Sequence, residues 1–468
     1  NVKFFSIISV SLLKVTVMDL CIRSFNEAIL VCISPSLFNL LFFHSEIAAQ
    51  NILDFGSSLL KFKVSYKSSK ELPDQNISSN SFSNFFNLSI LIILATIIAL
   101  ILSPLVGALC DLHGKKKKYL VGTCLFTAIP TAFLYFVGPG HVWTAIFLLA
   151  ISHASFMLSE NFCGSFLPDL ATEENMAKVS GIGWGIGYFG GLVNLILVQL
   201  IVTSKPETNL ELFLSQNQLA MLVTGGFVII AALPTFLFLK DRSHPVPGYE
   251  NSTMSELFRA GLKRTITTFK EAKEHKNLFS FLWAFVFYYA GLSATINFAG
   301  IFARRELKFE TGDLVIMFLC IQLSAAVGSY FFGLLERKTG IKNNILWTLV
   351  LWFVSIFAIV ILDPISELLG VGPKQFFFFV SIIVGLGLGA TQSSSRAFVG
   401  ILCPPGRSAE MFGLWGMANR IAVLFSMATF GPLSDYLGSI KGACVLLLFY
   451  LIAGAWLLWK IPTAKKEG

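Results

Sequence analysis

Long apolar segments recur along the chain and are separated by short polar turns. Runs of about 20 apolar residues, at about 1.5 Å rise per residue, span the hydrocarbon core of a bilayer, and such runs occur about twelve times here. We number these predicted spans 1 to 12; they lie near residues 17–43, 88–110, 119–138, 142–163, 179–203, 219–240, 278–303, 313–335, 344–362, 375–399, 409–433 and 441–460. The pattern predicts an all-α membrane protein.

The longest internal loop, 240–276, divides the chain. It contains Pro245, Pro247 and Gly248 and then a basic run, which predicts a linker that leads into a surface helix. We therefore predict an N-terminal six-helix half (1–240), a cytoplasmic linker (241–277) and a C-terminal six-helix half (278–468). The halves repeat: residues 159–168 align without a gap with residues 395–404, with four identities in ten. Duplicated six-helix halves are typical of one class of secondary transporters.

Composition supports a membrane environment and excludes several functions. Of 468 residues, 55% are hydrophobic and 13% charged, so the bilayer must solvate the apolar surface. The net charge of +8 comes from clusters in the predicted cytoplasmic turns, which favours positive-inside topology over nucleic-acid binding. The eight cysteines show no metal-ligand spacing, and no set of nucleophile and base is visible. We therefore expect no metal, no cofactor and no enzyme activity. We also expect a monomer.

Orientation follows from the turn after predicted span 2. Four consecutive lysines, Lys115–Lys118, are costly to translocate, so this turn is predicted to be cytoplasmic. An even number of spans then places both termini in the cytoplasm. The polar loop 44–84 is then predicted to lie outside, and whether the sequons at Asn76 and Asn87 are glycosylated stays open.

The same turn carries a family resemblance. Its residues Gly107, Asp111, Gly114, Lys115 and Lys116 resemble the signature between helices 2 and 3 of the major facilitator superfamily. The segments 166–170, 180–191, 389–396 and 404–413 resemble, more narrowly, the bacterial "unknown major facilitator" proteins and the yeast vacuolar amino-acid effluxers.

That resemblance implies two pseudo-symmetric halves around a central cavity and a small solute, an amino acid above all, exported by alternating access with or without proton coupling. The host membrane would be a bacterial inner membrane, with a vacuolar membrane as the alternative. The chain departs from the family at Met18–Arg23, where only Asp19 is kept, and at Tyr289–Gly291, where a carboxylate is missing. A transporter of sugars, phosphates or drugs, or a non-transporting receptor or lipid-handling protein, therefore stays open.

For the signature turn, the resemblance implies a conformational latch. Asp111 would sit at the positive N-terminus of a neighbouring helix while Lys115 and Lys116 hold acids or lipid phosphates. The C-terminal half contains a less complete copy of this turn, and Glu336 and Arg337 of that copy are predicted to belong to the latch as well.

Charged residues within the predicted spans are candidates for the substrate and coupling site, because an unpaired charge at membrane depth is costly. In span 1, Asp19, Arg23 and Glu27 share one helix face at i, i+4 and i+8, with Asn26 at its edge. We expect this face to line a water-filled cavity; alternatively, Asp19 only caps the helix at the interface.

A second candidate pair comes from the repeat. Glu160 and Arg396 occupy equivalent positions in spans 4 and 10, which places opposite charges across the pseudo-twofold axis. We expect them to pair and part during transport or to hold a zwitterion between them; a static pair that only aids folding is the alternative. Glu27 or Glu160 could carry a proton, and Arg420 is expected to pair locally. The remaining candidates for a polar lining are Asn161, Tyr288, Tyr289, Asn297 and Gln392.

Glycines in span 5 match the dinucleotide pattern GxGxxG, but no strand precedes them, so we reject a nucleotide site. Small residues at this spacing instead let another helix approach closely. We expect helix packing that suits two halves rocking against each other at Gly181, Gly183, Gly185, Gly187, Gly191, Gly385 and Gly389.

Overall fold

The computed structural model describes residues 96–138, 141–204, 208–271 and 274–462. In chain order its α-helices are α1 (Thr96–His113), α2 (Lys116–Phe133), α3 (Val142–Ser165), α4 (Leu167–Leu170), α5 (Met176–Ile201), α6 (Leu210–Phe238), α7 (Met254–Lys270), α8 (Lys276–Arg305), α9 (Thr311–Thr339), α10 (Ile341–Val360), α11 (Leu362–Leu369), α12 (Pro373–Leu402), α13 (Ser408–Leu437) and α14 (Ile440–Trp459).

Eleven helices among these residues are long and apolar enough to cross a membrane, and they correspond to predicted spans 2 to 12. Large apolar side chains such as Phe126, Phe147 and Phe379 are exposed on their outer faces, as a lipid solvent requires. The all-α fold and the multi-pass membrane character are thus confirmed. Predicted span 1 lies outside the described residues, and so do Asp19, Arg23, Asn26, Glu27, Asn76 and Asn87.

Some boundaries differ from the hydropathy pattern because capping decides where a helix begins. The helix α6 begins at Leu210 rather than near residue 219, since the side chain of Asn209 accepts a hydrogen bond of 3.0 Å from the backbone N–H of Leu212. The predicted surface helix of the linker is α7, which begins with a capping box between Thr253 and Glu256. The sequence pattern did not predict the short helix α11.

The helices form two groups. The N-terminal group is α1–α6, in which α2 packs against α3 and α6; the C-terminal group is α8–α14, in which α8 packs against α13 and α14, and α9 against α12. Between the groups, α5 packs on α9 and α12, and α3 packs on α13. The division into halves at residues 240 and 278 stays a prediction.

Glycines permit the close packing of α9 on both sides. A Cβ added to Gly181 would lie 2.4 Å from the carbonyl oxygen of Ser329, so α5 of one group contacts α9 of the other at backbone distance. In α12, a Cβ on Gly389 would lie 2.0 Å from the carbonyl oxygen of Ala325. Gly385 and Gly389 thus permit close packing of α12 on α9, two helices of the same group. That the glycines suit two halves rocking against each other stays a prediction. Gly183, Gly187 and Gly191 are buried within α5.

Candidate transport site and gate

The lysine turn, Gly114–Lys118, joins α1 to α2, and we call the membrane side that carries it the lysine-turn side. Gly114 has a positive φ of 61°, and a Cβ there would lie 2.1 Å from the backbone nitrogen of Pro245. Only glycine fits this turn, because the linker crosses directly over it. The crossing is held by a hydrogen bond of 3.1 Å from the N–H of Val246 to the carbonyl oxygen of Leu112.

Asp111 joins the two groups at the same level. Its carboxylate accepts hydrogen bonds from the backbone N–H groups of Ala409 (3.1 Å) and Glu410 (2.8 Å), in the first turn of α13. A buried carboxylate at a helix N-terminus satisfies unpaired N–H groups and complements the helix dipole. Gly107, one turn earlier, permits the approach, because a Cβ there would lie 2.3 Å from the carbonyl oxygen of Ala409. The placement is the one that the resemblance implied; its role as a latch stays a prediction.

The lysines of the turn differ in their contacts. Lys116 is buried and forms an ion pair of 2.7 Å with Asp169, which lies in the short helix α4. Lys115 is exposed. In the counterpart turn at the end of α9, Glu336 is half-buried and Arg337 is exposed, and neither takes part in an ion pair of the described residues.

Beside Asp111 lies a charged cluster that the sequence analysis missed, which we call the Glu410 clamp. The buried Glu410 accepts hydrogen bonds from Nε of Arg407 (3.0 Å), from Nη2 of Arg407 (3.1 Å) and from Nε of Arg264 (2.9 Å), and it contacts the hydroxyl of Thr268. Arg264 and Thr268 belong to α7. The linker helix therefore holds the beginning of α13 in place. Burial lowers the pKa of Arg407, but the hydrogen bonds and charge of Glu410 outweigh this effect and raise its pKa above the ordinary value.

Another buried charged residue of the N-terminal group is Glu160 in α3. Its Oε2 lies 3.3 Å from Nη2 of Arg420 in α13, and both side chains are almost fully buried, with 4% and 2% exposed. Arg420 also donates to the carbonyl oxygens of Gly416 (3.4 Å) and Met157 (3.3 Å). The expectation that Arg420 pairs locally is therefore wrong: its acidic partner lies in the other helix group.

Arg396 has a different position from the one that the repeat suggested. It is buried in α12, lies beside Cys163, and is close enough for its charge to act on Glu160. The ion pair of Glu160, however, is formed with Arg420. The repeat aligns positions on two helices, but neighbouring helices decide which side chains touch, and α3 packs on α13. The direct pair between Glu160 and Arg396 is thus not present in this conformation.

Aromatic and amide side chains lie near the charged residues Glu160, Arg396 and Arg420. Tyr288 hydrogen-bonds the hydroxyl of Ser395 at 2.7 Å, one residue before Arg396. Gln392, one turn earlier, accepts a hydrogen bond of 2.6 Å from Tyr188 of α5. Tyr289 lies beside Gln392. The structure thus brings Tyr288, Tyr289 and Gln392 together. Tyr188 joins them; it lies in the segment 180–191 that carries the family resemblance, but the sequence analysis did not predict it as a lining residue.

Two other predicted lining residues, Asn161 and Asn297, contact other parts of the protein. Asn161 donates a hydrogen bond of 3.0 Å to Ser103 of α1 and packs against Gly416 of α13, so it serves the contact between helices. Asn297 is half-buried and pairs with Ser293 on its own helix at 3.4 Å. It lies more than two turns from Tyr288 along α8, away from the lysine-turn side.

The contacts between the groups that are described above lie on the lysine-turn side. Those of α13 involve residues 409–420 at its beginning, those of α3 involve residues 157–164 at its end, and those of α5 involve residues 177–188 at its beginning. Each segment belongs to the half of its helix nearer to the lysine turn. Among the described helices, the lysine-turn side of the interface is therefore closed in this conformation.

Comparisons with a family model and with known proteins indicate the same family. The model of the family described as "Vacuole effluxer Atg22 like" matches residues 74–467. The chain is 23% identical, over 403 residues, to the uncharacterized MFS-type transporter YxiO of Bacillus subtilis (strain 168), covering 86% of this chain and 89% of that protein. It is 25% identical over 305 residues to autophagy-related protein 22-1 of Neosartorya fischeri, covering 62% of this chain and 49% of that protein. The match thus spans about half the length of this fungal relative.

Solved structures share the fold at low identity. A bacterial homologue of the iron transporter ferroportin in an outward-facing state has a TM-score of 0.60 at 13% identity, over 94% of this chain and 98% of that one. The proton:xylose symporter XylE, which belongs to the major facilitator superfamily, has a TM-score of 0.66 at 11% identity, over 94% and 96%. At these identities the likeness establishes the fold alone.

Proposed function

Because the chain belongs to the vacuole effluxer Atg22-like family of major facilitator transporters, we propose that it exports an amino acid or a similar zwitterion by alternating access. The protein is a multi-pass membrane transporter. Its relatives occur in a bacterium and in fungi, and we propose a bacterial inner membrane, with a vacuolar membrane as the alternative.

One observation carries the proposal on the substrate: a buried carboxylate lies near two buried guanidinium groups where the helix groups meet. Glu160 pairs with Arg420, and the charge of Arg396 acts on it as well. Nε of Arg420 is buried without a hydrogen-bond partner among the described residues. A substrate carboxylate that reaches this site can accept hydrogen bonds from a guanidinium group, and Glu160 can then hold an ammonium group.

The proposed cycle couples substrate binding to the gate. A substrate carboxylate that competes for Arg420 weakens its ion pair with Glu160, and this pair joins α3 to α13. Asp111 and Glu410 hold the beginning of the same helix α13. Once the ion pair between Glu160 and Arg420 is lost, fewer contacts hold α13, so its movement away from α1 and α3 is favoured. We propose that the lysine-turn side is cytoplasmic and that both termini lie there, in agreement with positive-inside topology.

The test is counterflow in proteoliposomes with a panel of labelled amino acids, sugars, nucleosides and organic acids. We expect exchange of one or more amino acids, strong loss in Arg396→Gln, partial loss in Glu160→Gln, and little change in Arg305→Gln, an exposed arginine at the end of α8. Competition with an amino-acid amide and with the corresponding deaminated acid tests whether both charged ends are needed. Exchange of sugars but of no amino acid would contradict the proposal.

Proton coupling is a separate part of the proposal. Glu160 can carry a proton if its pairing with Arg420 is broken by the substrate during the cycle. We expect Glu160→Gln to retain some counterflow, which needs no net proton movement, while it loses uptake driven by an imposed pH gradient. Equal loss of both activities would indicate a role in binding alone.

A second candidate substrate is an organic anion without an ammonium group. It is favoured because, in the described part of the site, two buried arginines act on a single carboxylate. The human organic anion transporter MFSD10 shares the fold, with a TM-score of 0.60. Competition by the deaminated acid that equals competition by the amino acid would favour this candidate.

A further inference from the structure

The linker helix α7 presents an apolar stripe away from the rest of the protein. Five large apolar side chains, 43–60% exposed, follow one another at spacings of three or four residues: Met254, Phe258, Leu262, Ile266 and Phe269. At about 3.6 residues per turn they fall within an arc of about 120°. An exposed stripe of this length is costly in water, so it requires an apolar partner.

Basic residues border the stripe. Arg259, Lys263 and Lys270 are exposed and follow the apolar arc on the edge far from the packed face of the helix. The packed face itself carries Leu257 and Gly261, which lie against α1. An apolar stripe with lysine and arginine along its border is typical of a helix that lies in the interfacial region of an anionic bilayer.

The stripe continues into the lipid-facing surface of the transporter. The ring of Phe269 contacts the ring of Phe279 in α8, with 6.1 Å between the centroids. One turn farther along α8, Trp283 is 62% exposed on a membrane-spanning segment. The apolar surface of α7 therefore meets the surface that acyl chains cover, at the depth where α8 enters the membrane.

From this continuity and from the basic border, we propose that α7 binds the phospholipid headgroup region on the lysine-turn side, with its apolar stripe among acyl chains and Arg259, Lys263 and Lys270 on anionic lipid phosphates. The other side of the same helix carries Arg264 and Thr268, which hold Glu410. Anionic lipid that orders α7 thereby stabilises the closed gate. The inference does not depend on which solute is transported.

The first experiment locates α7 relative to the bilayer. An environment-sensitive fluorophore is attached at Phe258→Cys, in the stripe, or at Lys263→Cys, on the basic border, and each protein is placed in nanodiscs that contain lipid brominated on the acyl chains. We expect loss of fluorescence and a shift of emission to shorter wavelength at position 258, and much smaller changes at position 263. The unsubstituted protein, labelled in the same way, gives the background from its native cysteines. Emission from position 258 that stays water-like and unquenched would overturn the proposal.

The second experiment tests the charge border in nanodiscs with and without phosphatidylglycerol. Each lysine or arginine near an anionic surface is worth about 1 kcal/mol, which corresponds to about a fivefold change in binding. The double change Arg259→Gln with Lys263→Gln should therefore weaken lipid binding of α7 about 30-fold, read from quenching at position 258. The matched control is Lys118→Gln with Lys338→Gln, which removes two exposed charges on the lysine-turn side, in α2 and at the end of α9. Equal loss in the control would show that general surface charge, and not α7, attracts the lipid.

Discussion

Oε2 of Glu160 lies 3.3 Å from Nη2 of Arg420, so an almost fully buried ion pair connects α3 of the N-terminal group to α13 of the C-terminal group. The desolvation of two buried charges offsets much of their attraction, and such a pair contributes little net stability. Removing one partner, in contrast, leaves an uncompensated charge. The pair is therefore suited to a conformational change in which both charges exchange partners together.

The first prediction distinguishes the two arginines near Glu160. Glu160→Arg and Arg420→Glu should each abolish counterflow and lower thermal stability, because breaking a buried pair costs about 3–5 kcal/mol. The double swap Glu160→Arg with Arg420→Glu should recover part of both, measured by fluorescence-detected size exclusion after heating and by counterflow.

The matched control is the double swap Glu160→Arg with Arg396→Glu. Because Arg396 does not form the direct pair, we expect less recovery of thermal stability than in the swap with Arg420. Equal recovery in the two double swaps would mean that the charge balance, and not the pair itself, stabilises the fold.

The sequence predicted the membrane-spanning helices and the place of Asp111 in the gate, but not the Glu410 clamp. Spans 2 to 12 follow from hydropathy because lipid exposure demands apolar faces all along each helix. The placement of Asp111 at a helix N-terminus followed from the family resemblance of the turn, but the resemblance did not say which residues it meets; Glu410, one of them, lies 299 residues away. Contacts between distant segments could not be predicted in this way: Arg264 and Glu410 are 146 residues apart, and the basic run around Arg264 predicts only a cytoplasmic surface.

A second prediction concerns the closed gate at Gly107. In Gly107→Ala, the new Cβ would lie 2.3 Å from the carbonyl oxygen of Ala409, so α1 and α13 must separate. Overpacking of this kind costs about 1–3 kcal/mol, enough for about a tenfold shift toward the open state. We expect faster alkylation of Cys403, which is half-buried at the lysine-turn end of α12, measured by peptide mass spectrometry.

The control for this change is Gly122→Ala in α2, on the same side of the membrane, where an added Cβ meets nothing within 4 Å. Alkylation of Cys403 should stay at the wild-type rate there. A wild-type rate in Gly107→Ala as well would show that the contact between α1 and α13 does not limit access to Cys403.

Arg407 provides a third prediction, because its guanidinium group holds both oxygens of Glu410. Lysine keeps the charge but cannot form two parallel hydrogen bonds, so Arg407→Lys should open the gate and speed alkylation of Cys403. The same change at the exposed Arg305, at the end of α8 away from the lysine turn, should have no effect on that rate. A rate in Arg407→Lys equal to wild type would assign the clamp to charge alone.

The fourth prediction is the pH dependence of that alkylation. Burial raises the pKa of the Cys403 thiol well above its usual range, and the charge of Asp111 raises it further. Because the thiolate is the reactive form, the rate at pH 8 should be low and should still increase about tenfold per pH unit up to about pH 10. A rate that levels off near pH 9 in the wild-type protein would place Cys403 in a more exposed setting than the closed gate provides.

The fifth prediction concerns the hydrogen bond of 2.6 Å from Tyr188 to Gln392, which joins α5 to α12 between the groups. Tyr188→Phe leaves a buried amide oxygen without its donor, which costs about 1–3 kcal/mol. Adding Gln392→Leu removes the unsatisfied group, so thermal stability should rise again in the double variant. If Gln392 serves only packing, counterflow should recover together with stability. If it contacts the substrate, as its place one turn before Arg396 favours, stability should recover while counterflow stays low, and this separation of the two measurements is the result that we expect.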